Sequence, residues 1–451
     1  MYGLLFKQFL RSKVAIAGLG FILVAGFASI SIGKQFLKKQ ESAVHHAAQF
    51  QNEFISDYVK YNNDDLGLLM YYLRFSLANK PNPLAGLSIG QRDINPSLQS
   101  ITIRNLENQK WDTDLVNPTN LLLGNMDLGF VMIYLFPLLI IAFIYNTYSE
   151  EKEGGTWSLL RLHAPSPGKV LRQKLLVRMA AVYAAMIILL ASAAIILSLP
   201  LSSSLLAIGL LLVLYFGFWF ALGLWVVSYK KNSAFNAVAM LAIWVFLTVL
   251  SPALVNSYII NSYPVPEALE TVVKQRQGYH EKWDMEKQVT MNKFYAHYPQ
   301  YRKYPLPDKQ FSWLWYYAMH QMGDDESEQE SQALHSKLWT RHTVSSNIAL
   351  FFPTLHTQLS INSLAQTDLQ NHLLFLDSTK RFHEKTRLFF YEKIFEDQPV
   401  NSVDWSRLQL EYFSAGQTTN WLRLLLPLLV FTTVCYLLGI QNFKKQNANE
   451  P

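Results

Sequence analysis

The sequence predicts an all-α polytopic membrane protein, with six transmembrane helices and a mostly helical extracytoplasmic domain built from two insertions. Three observations predict it. Half of the 451 residues are hydrophobic and only 16% are charged, where a soluble protein carries about 25%. The apolar residues gather in six runs of about 20, roughly the length a helix needs to cross hydrocarbon. Basic residues flank these runs on alternating sides, the pattern of the positive-inside rule.

The runs are 14–33, 128–147, 179–199, 205–228, 234–255 and 422–440. None has an ionisable residue in its middle, and Arg423, at the edge of the last, can snorkel to the headgroups. Lys7, Arg11 and Lys13 precede the first run. Lys152, Arg161, Lys169, Arg172, Lys174 and Arg178 follow the second, Lys230 and Lys231 the fourth, and Lys444 and Lys445 the sixth. Both termini are therefore expected in the cytosol, with the chain multi-pass in the cytoplasmic (inner) membrane of a bacterium. Lys34, Lys38 and Lys39 run against the trend, but long segments translocate largely regardless of charge. The first run follows a basic start like a signal peptide. It is long for one and no clean small-x-small site follows, so an uncleaved anchor is expected. The pI near 9 reflects membrane anchoring and carries no nucleic-acid meaning.

This divides the chain into an interfacial elbow helix and first span (1–33), a first outer segment (34–127), and spans two to five with a cytosolic loop at 148–178 (128–255). A second outer segment (256–421) and the last span with its tail (422–451) complete it. The first outer segment is expected to hold helices at 38–60 and 65–78, a Pro/Gly turn around Pro81, Pro83 and Gly86, and a short strand within Ser100–Leu106. The second reads as helices near 267–297, 310–345 and 360–395. The acidic run Asp324–Glu330 is expected to be a solvated bend or helix face. The single cysteine, Cys435, lies in the last span, so the outer segments hold together by core packing.

Several chemistries are disfavoured. Gly86-Leu87-Ser88-Ile89-Gly90 matches the nucleophile elbow of serine hydrolases, but that motif needs a strand before the serine and a helix after it. Pro81, Pro83 and Asn95-Pro96 spoil both sides, which leaves a glycine-rich turn. Ten of eleven histidines are exported, yet none pair at a spacing that puts two imidazoles on one helix face, and no exported cysteine joins them. No metal site is expected. Gly168-Lys169 lacks the rest of a phosphate-binding loop, so no nucleotide site or catalytic residue is expected in this chain. Spans without buried charges also disfavour an ion-coupled carrier.

The loop Glu150–Lys174, EEKEGGTWSLLRLHAPSPGKVLRQK, holds the most information. Glu150, Glu151 and Glu153 sit at a helix C-terminus, where the dipole makes carboxylates mildly unfavourable. Pairing with Lys152, Arg161 or a partner's basic residues would account for them. Gly154-Gly155 can end the helix through a left-handed cap, and Thr156 suits an N-cap. Trp157, Leu159, Leu160 and Leu162 make a short apolar helix that Pro165 stops. Ser166 and Pro167 can open the next, with Lys169, Arg172, Lys174 and Arg178 along its start. Taken alone, this is an interfacial elbow.

The string EEKEGGTWSLLRLHAPSPGKVLRQKLLVR resembles the E-x-E-x-G-T…L…P-x-S/P…K signature of ABC-2 type transporter permeases. LSIGQRDINP (87–96), LLLGNMDLGFVMIYLFPLL (121–139) and the TDLQNHLLF region (367–375) are similar to a subfamily with two large extracytoplasmic insertions, grouped with multicopper-enzyme-maturation permeases. The resemblance implies that the loop is the coupling helix docking on a separate ATPase subunit, which would hold the ATP and Mg. Glu151, Glu153, Gly155 and Thr156 match the acidic-Gly-Thr core. Leu159, Leu160, Pro165 and Lys174 match later positions, and Gly154 is extra. It further implies a second permease subunit, identical or sister, and export as the direction. Leu4–Arg11 can form the family's elbow helix on membrane lipid. A possible envelope protein at the outer domain belongs to a rival reading, in which the ATPase works that partner mechanically and no solute crosses. A passive scaffold and an envelope enzyme resting on Ser88 are the other rivals.

Overall fold

A computed structural model describes residues 2–110, 125–157, 167–416 and 419–448. The protein is an all-α polytopic membrane protein. Six helices are long and apolar enough to cross a membrane: Lys13–Tyr61, Leu128–Glu153, Lys169–Ile196, Ser203–Val227, Ser233–Ser262 and Trp421–Gln446. Spans two and four are 67% and 61% buried against 22–28% for the rest, so those two form the centre of the bundle.

Short polar caps start the helices where the sequence places them. Ser202 Oγ accepts from Leu205 N–H at 3.3 Å, and Asn232 Oδ1 accepts from Phe235 N–H at 2.9 Å. Asp127 Oδ1 accepts from Phe130 N–H at 2.8 Å where span two begins. Each satisfies a donor that the first turn would otherwise leave open. Span two contains a π-helical turn (Val131–Leu135), and span five another (Phe246–Leu250).

Helix α1 (Tyr2–Arg11) lies beside the third span and is followed by α2 (Lys13–Tyr61), one unbroken helix of 49 residues. The expected helix at 38–60 is thus the continuation of span one. No proline or paired glycine interrupts 14–61, so nothing breaks the backbone ladder at the membrane surface. At about 1.5 Å per residue α2 is about 70 Å long, more than twice the hydrocarbon thickness.

The extramembrane domain has its own core, rich in stacked aromatics. Tyr317 and Tyr391 are fully buried there, and the Phe294 and Tyr301 rings stack at 5.9 Å. Three short strands bind the two insertions together: β1 (Phe75–Asn79), β2 (Leu98–Ile101) and β3 (Glu411–Phe413), in the order β2-β1-β3. β1 pairs antiparallel with β2 (Ser76 opposite Ser100) and parallel with β3 (Ala78 opposite Tyr412). The buried Gln51 of α2 holds this sheet, accepting from Ser76 N–H at 2.7 Å and donating to the Leu408 carbonyl at 2.9 Å.

Several expected elements shift. The helix at 65–78 ends at Tyr72 and gives way to β1, whose five residues are all buried and so show no alternation. The strand expected in 100–106 is Leu98–Ile101. The helix near 267–297 is two, Glu267–Asp284 and Lys287–His297, and the one near 310–345 spans Trp313–Ala349. The helix at 360–395 is also two, Pro353–Leu364 and Leu369–Phe395. Gln366 takes a positive φ of 58° at that break, and Asp368 caps the second piece.

The acidic run is a solvated helix face only in part: Asp325 and Glu326 are exposed, while Asp324 and Glu330 turn inward. Asp324 is buried against Arg387, its Oδ2 accepting from Nη2 at 2.6 Å, and Glu330 pairs with Lys274. Burial pushes the Asp324 carboxyl up to about 6, against the pull of Arg387. His320 and His383, 3% and 2% exposed, lie close by. Burial first, and then Arg104, Arg387 and Lys282 around His320 and Arg387 beside His383, hold both rings well below the ordinary histidine value. In the unfolded chain those histidines take protons near pH 6.5. There they bind more protons than in the folded domain, so stability falls as pH drops below about 6.5. Asp324 acts oppositely: between about 6 and 4 its folded form binds the extra proton. Asp127, raised by burial to about 6, sides with Asp324. His372, lowered by burial to about 4, sides with the other two histidines. Three histidines outweigh two carboxyls, so the domain should lose stability between pH 7 and 5, by about 1.4 kcal/mol per pH unit for each net proton. Thermal unfolding across that range checks this. His383→Gln should flatten the slope, and an unchanged slope would refute it.

Candidate functional site

At one end of the bundle α1, the turn after span two, the start of span three, the turn between spans four and five, and the C-terminal helix converge. Asn442 Nδ2 donates to Ser228 Oγ at 3.2 Å, and Phe443 packs edge-on to Tyr148 with ring centres 6.3 Å apart. The helix of span two gives way to a turn at Tyr145–Tyr148, then to a short helix, Ser149–Glu153. Tyr148 is 1% exposed, with Trp157 standing against its ring at 4.8 Å. Trp157 is thereby an interior anchor of the loop.

Two of the three carboxylates, Glu151 and Glu153, bond to other segments of this chain. Glu151 accepts from Lys174 on the third span through one oxygen and from Thr156 Oγ through the other. The Lys174 and Glu151 side chains are only 13% and 14% exposed. Glu153 reaches the fifth span, where Oε1 accepts from Ser233 N–H and Oε2 from Ser233 Oγ, both at 2.8 Å. Ser149 Oγ and Ser233 Oγ lie 2.7 Å apart, and Asn236 Nδ2 donates to the Tyr145 carbonyl at 3.0 Å. Arg178 donates to the Phe143 carbonyl and to Thr147 Oγ, where the helix end leaves carbonyls open.

Sequence reasoning expected Lys152, Arg161 or a partner to pair with the carboxylates. Among the described residues Lys174 and Ser233 do so, and Arg161 lies outside them. Thr156 was expected to cap a following helix, and its hydroxyl donates back to Glu151. Gly155 does take the left-handed conformation, φ +69°, that ends the helix, while Gly154 keeps φ −80°. Leu159, Leu160 and Pro165 lie outside the described residues. Glu150, 57% exposed, and the exposed Lys152, Gly154 and Gly155 make the outward surface. A cavity of about 250 Å3 lies under α1, lined by Gln8, Ser12, Asn146, Glu150, Lys174 and Arg178.

Ser233 and Asn236 were missed. They lie 80 and 91 residues from their partners, and no local spacing announces such a contact.

The Gly86–Gly90 string has a different role from the one its motif suggests. Ser88 is fully buried and donates to Asn362 Oδ1 at 2.7 Å, directly after a 3-10 turn, Pro83–Gly86, and not at the end of a strand. Ile89 N–H donates to Asp127 at 2.7 Å, Gly129 N–H to the Leu87 carbonyl at 2.8 Å, and Gln91 N–H to the Thr367 carbonyl at 2.8 Å. The turn therefore locks the extramembrane domain to the head of span two. Among the described residues no group of histidine, cysteine and carboxylate side chains is placed to hold a metal.

A family model described as a domain of unknown function, DUF3526, matches residues 268–410. No curated protein and no solved structure matches the chain. The matched stretch lies in the extramembrane domain and leaves out the loop.

Proposed function

We propose that this chain is the membrane subunit of an ABC-2 type transporter, driven by a separate ATPase through the loop at 150–174. One observation carries the reading. Two carboxylates, Glu151 and Glu153, tie the loop to the third and fifth spans at once, so a push on it is delivered to both helices. The exposed strip Glu150, Lys152, Gly154 and Gly155 is the surface offered to the ATPase. The basic flanks support a cytosolic position for this end and for both termini, in the inner membrane of a bacterium. ATP and Mg would sit on the partner, and a second permease subunit would complete the pair.

Solute export is the direction the resemblance supports. One observation favours mechanical transmission to an envelope partner: α2 runs unbroken from the loop end of the bundle into the distant sheet. A rigid rod moves its far end whenever its near end moves.

The native chain has one thiol, Cys435, which is buried. Lys152→Cys therefore adds a single accessible one. After mild-detergent purification from its own host, a short bifunctional thiol–amine reagent should link that residue to a co-purifying ATPase. No link there, with links appearing from cysteines at the opposite end, would refute the reading.

A further inference from the structure

A cleft of about 450 Å3 opens at the other end of the bundle, between the extramembrane domain and the first turn of the last span. Arg423 and Leu424 of that span form one wall, and Trp339, His342, Gln370 and Asn371 of the domain line the other. The volume falls in the range of small-molecule sites.

Two donors in this cleft call for an anionic ligand. Arg423 is exposed and makes no ion pair among the described residues; its Nη2 donates only to the neutral Asn347 Oδ1, at 2.6 Å. A guanidinium keeps further N–H groups in a planar fork suited to phosphate. Asn371 is 6% exposed. Its Oδ1 accepts from Asn79 at 2.9 Å, and its Nδ2 is buried with no partner. A buried amide donor without an acceptor costs about 1–3 kcal/mol, and a ligand oxygen would remove that cost. The one lining carboxylate, Asp368, is engaged by Asn371 N–H at 3.1 Å as a helix cap.

Position indicates the source. The cleft lies at the membrane edge of the sixth span, beside Leu422 and Leu426, which are 70% and 46% exposed as lipid-facing residues are. Phe351, 73% exposed, adjoins the lining residue Leu350. A polar cleft beside an apolar, lipid-facing surface matches an amphiphile with an anionic head.

We propose that this cleft binds the phosphate-bearing headgroup of an anionic amphiphile, through Arg423 and the free amide hydrogens of Asn371. The site stands independently of the ATPase reading.

The test uses the full chain in neutral detergent, titrated with phosphatidylglycerol, phosphatidylcholine, or inorganic phosphate, read by thermal unfolding and native mass spectrometry. Phosphatidylglycerol should bind saturably, and Arg423→Gln should weaken it at least tenfold. Asn371→Asp keeps the acceptor for Asn79 and turns the free donor into an anion, so it should weaken binding as much. Arg423→Lys, which keeps the charge, should fall between and serves if the glutamine variant folds poorly. Binding of inorganic phosphate with the same variant sensitivity would identify a soluble source for the same chemistry. Equal response to both lipids, or titrations that none of these variants changes, would overturn the site. No ATPase enters this readout, so its failure leaves the coupling proposal standing.

Discussion

Gly33→Ala should be the most damaging single-methyl change in this protein. A Cβ at Gly33 would lie 1.9 Å from the Gly86 carbonyl oxygen and 2.9 Å from its carbon. The obstacle is backbone, so no side chain can swing aside. The turn cannot retreat either, because Ser88, Ile89 and Gln91 tie it to Asn362, Asp127 and Thr367. Overpacking in a tight interior costs about 1–3 kcal/mol, occasionally more, and this contact belongs at the upper end. Gly20 supplies the control. It lies on the same helix with nothing within 4 Å of its Cβ position, and alanine there should be neutral or stabilising by about 1 kcal/mol. Thermal unfolding of the two variants in one detergent checks this. If α2 is the proposed transmission rod, Gly33→Ala should also lower lipid- or partner-stimulated ATP turnover more than Gly20→Ala does. Equal melting of the two variants would mean that α2 does not grip the turn.

Glu151→Lys should release the loop from the third span. It removes the acceptor shared by Lys174 and Thr156 and places a second cation beside Lys174 and Arg178. Breaking a fully buried pair costs about 3–5 kcal/mol; with both side chains slightly exposed, about 2–3 kcal/mol is expected here. The paired exchange Glu151→Lys with Lys174→Glu should recover at least half of that loss, because geometry and charge are restored together. Under the proposed function, stimulated ATPase activity should fall about tenfold or more in the single variant and return in the exchange. Full activity in Glu151→Lys would mean that the brace does not transmit force. Stability lost without recovery in the exchange would mean that Glu151 acts through some contact other than Lys174.

The membrane part was legible because hydrocarbon imposes a rule on composition. A helix that crosses it must be apolar for about 20 residues whatever its neighbours are. The six runs in the sequence and the six spanning helices therefore agree, and the caps at Ser202 and Asn232 start their helices where short polar residues can satisfy open donors. The extramembrane domain was less legible. Phe75–Asn79 continues a helical pattern and becomes a strand because it meets Leu98–Ile101 and Glu411–Phe413, the latter more than 330 residues away. The inward turn of Asp324 was hidden because its counter-charge, Arg387, lies 63 positions away.

The candidate site divides the same way. Its glycine stop and its clustered charges were visible as a local string, since backbone conformation at Gly155 depends on that residue alone. That Glu151 meets Lys174 and Glu153 meets Ser233 was not visible, because which helices stand side by side depends on how whole surfaces pack.

The amino-acid sequence by itself determined that this chain is an all-α membrane protein with six helices long and apolar enough to cross a bilayer. Transfer free energy and helix capping act over one turn or one run, so they need no partner. Only the tertiary structure decided that the loop carboxylates brace two spans, that Ser88 locks a junction, and that Arg423 and Asn371 share a cleft. Those facts arise from packing between segments remote in the chain, where closure of long loops and burial of whole faces choose the neighbours.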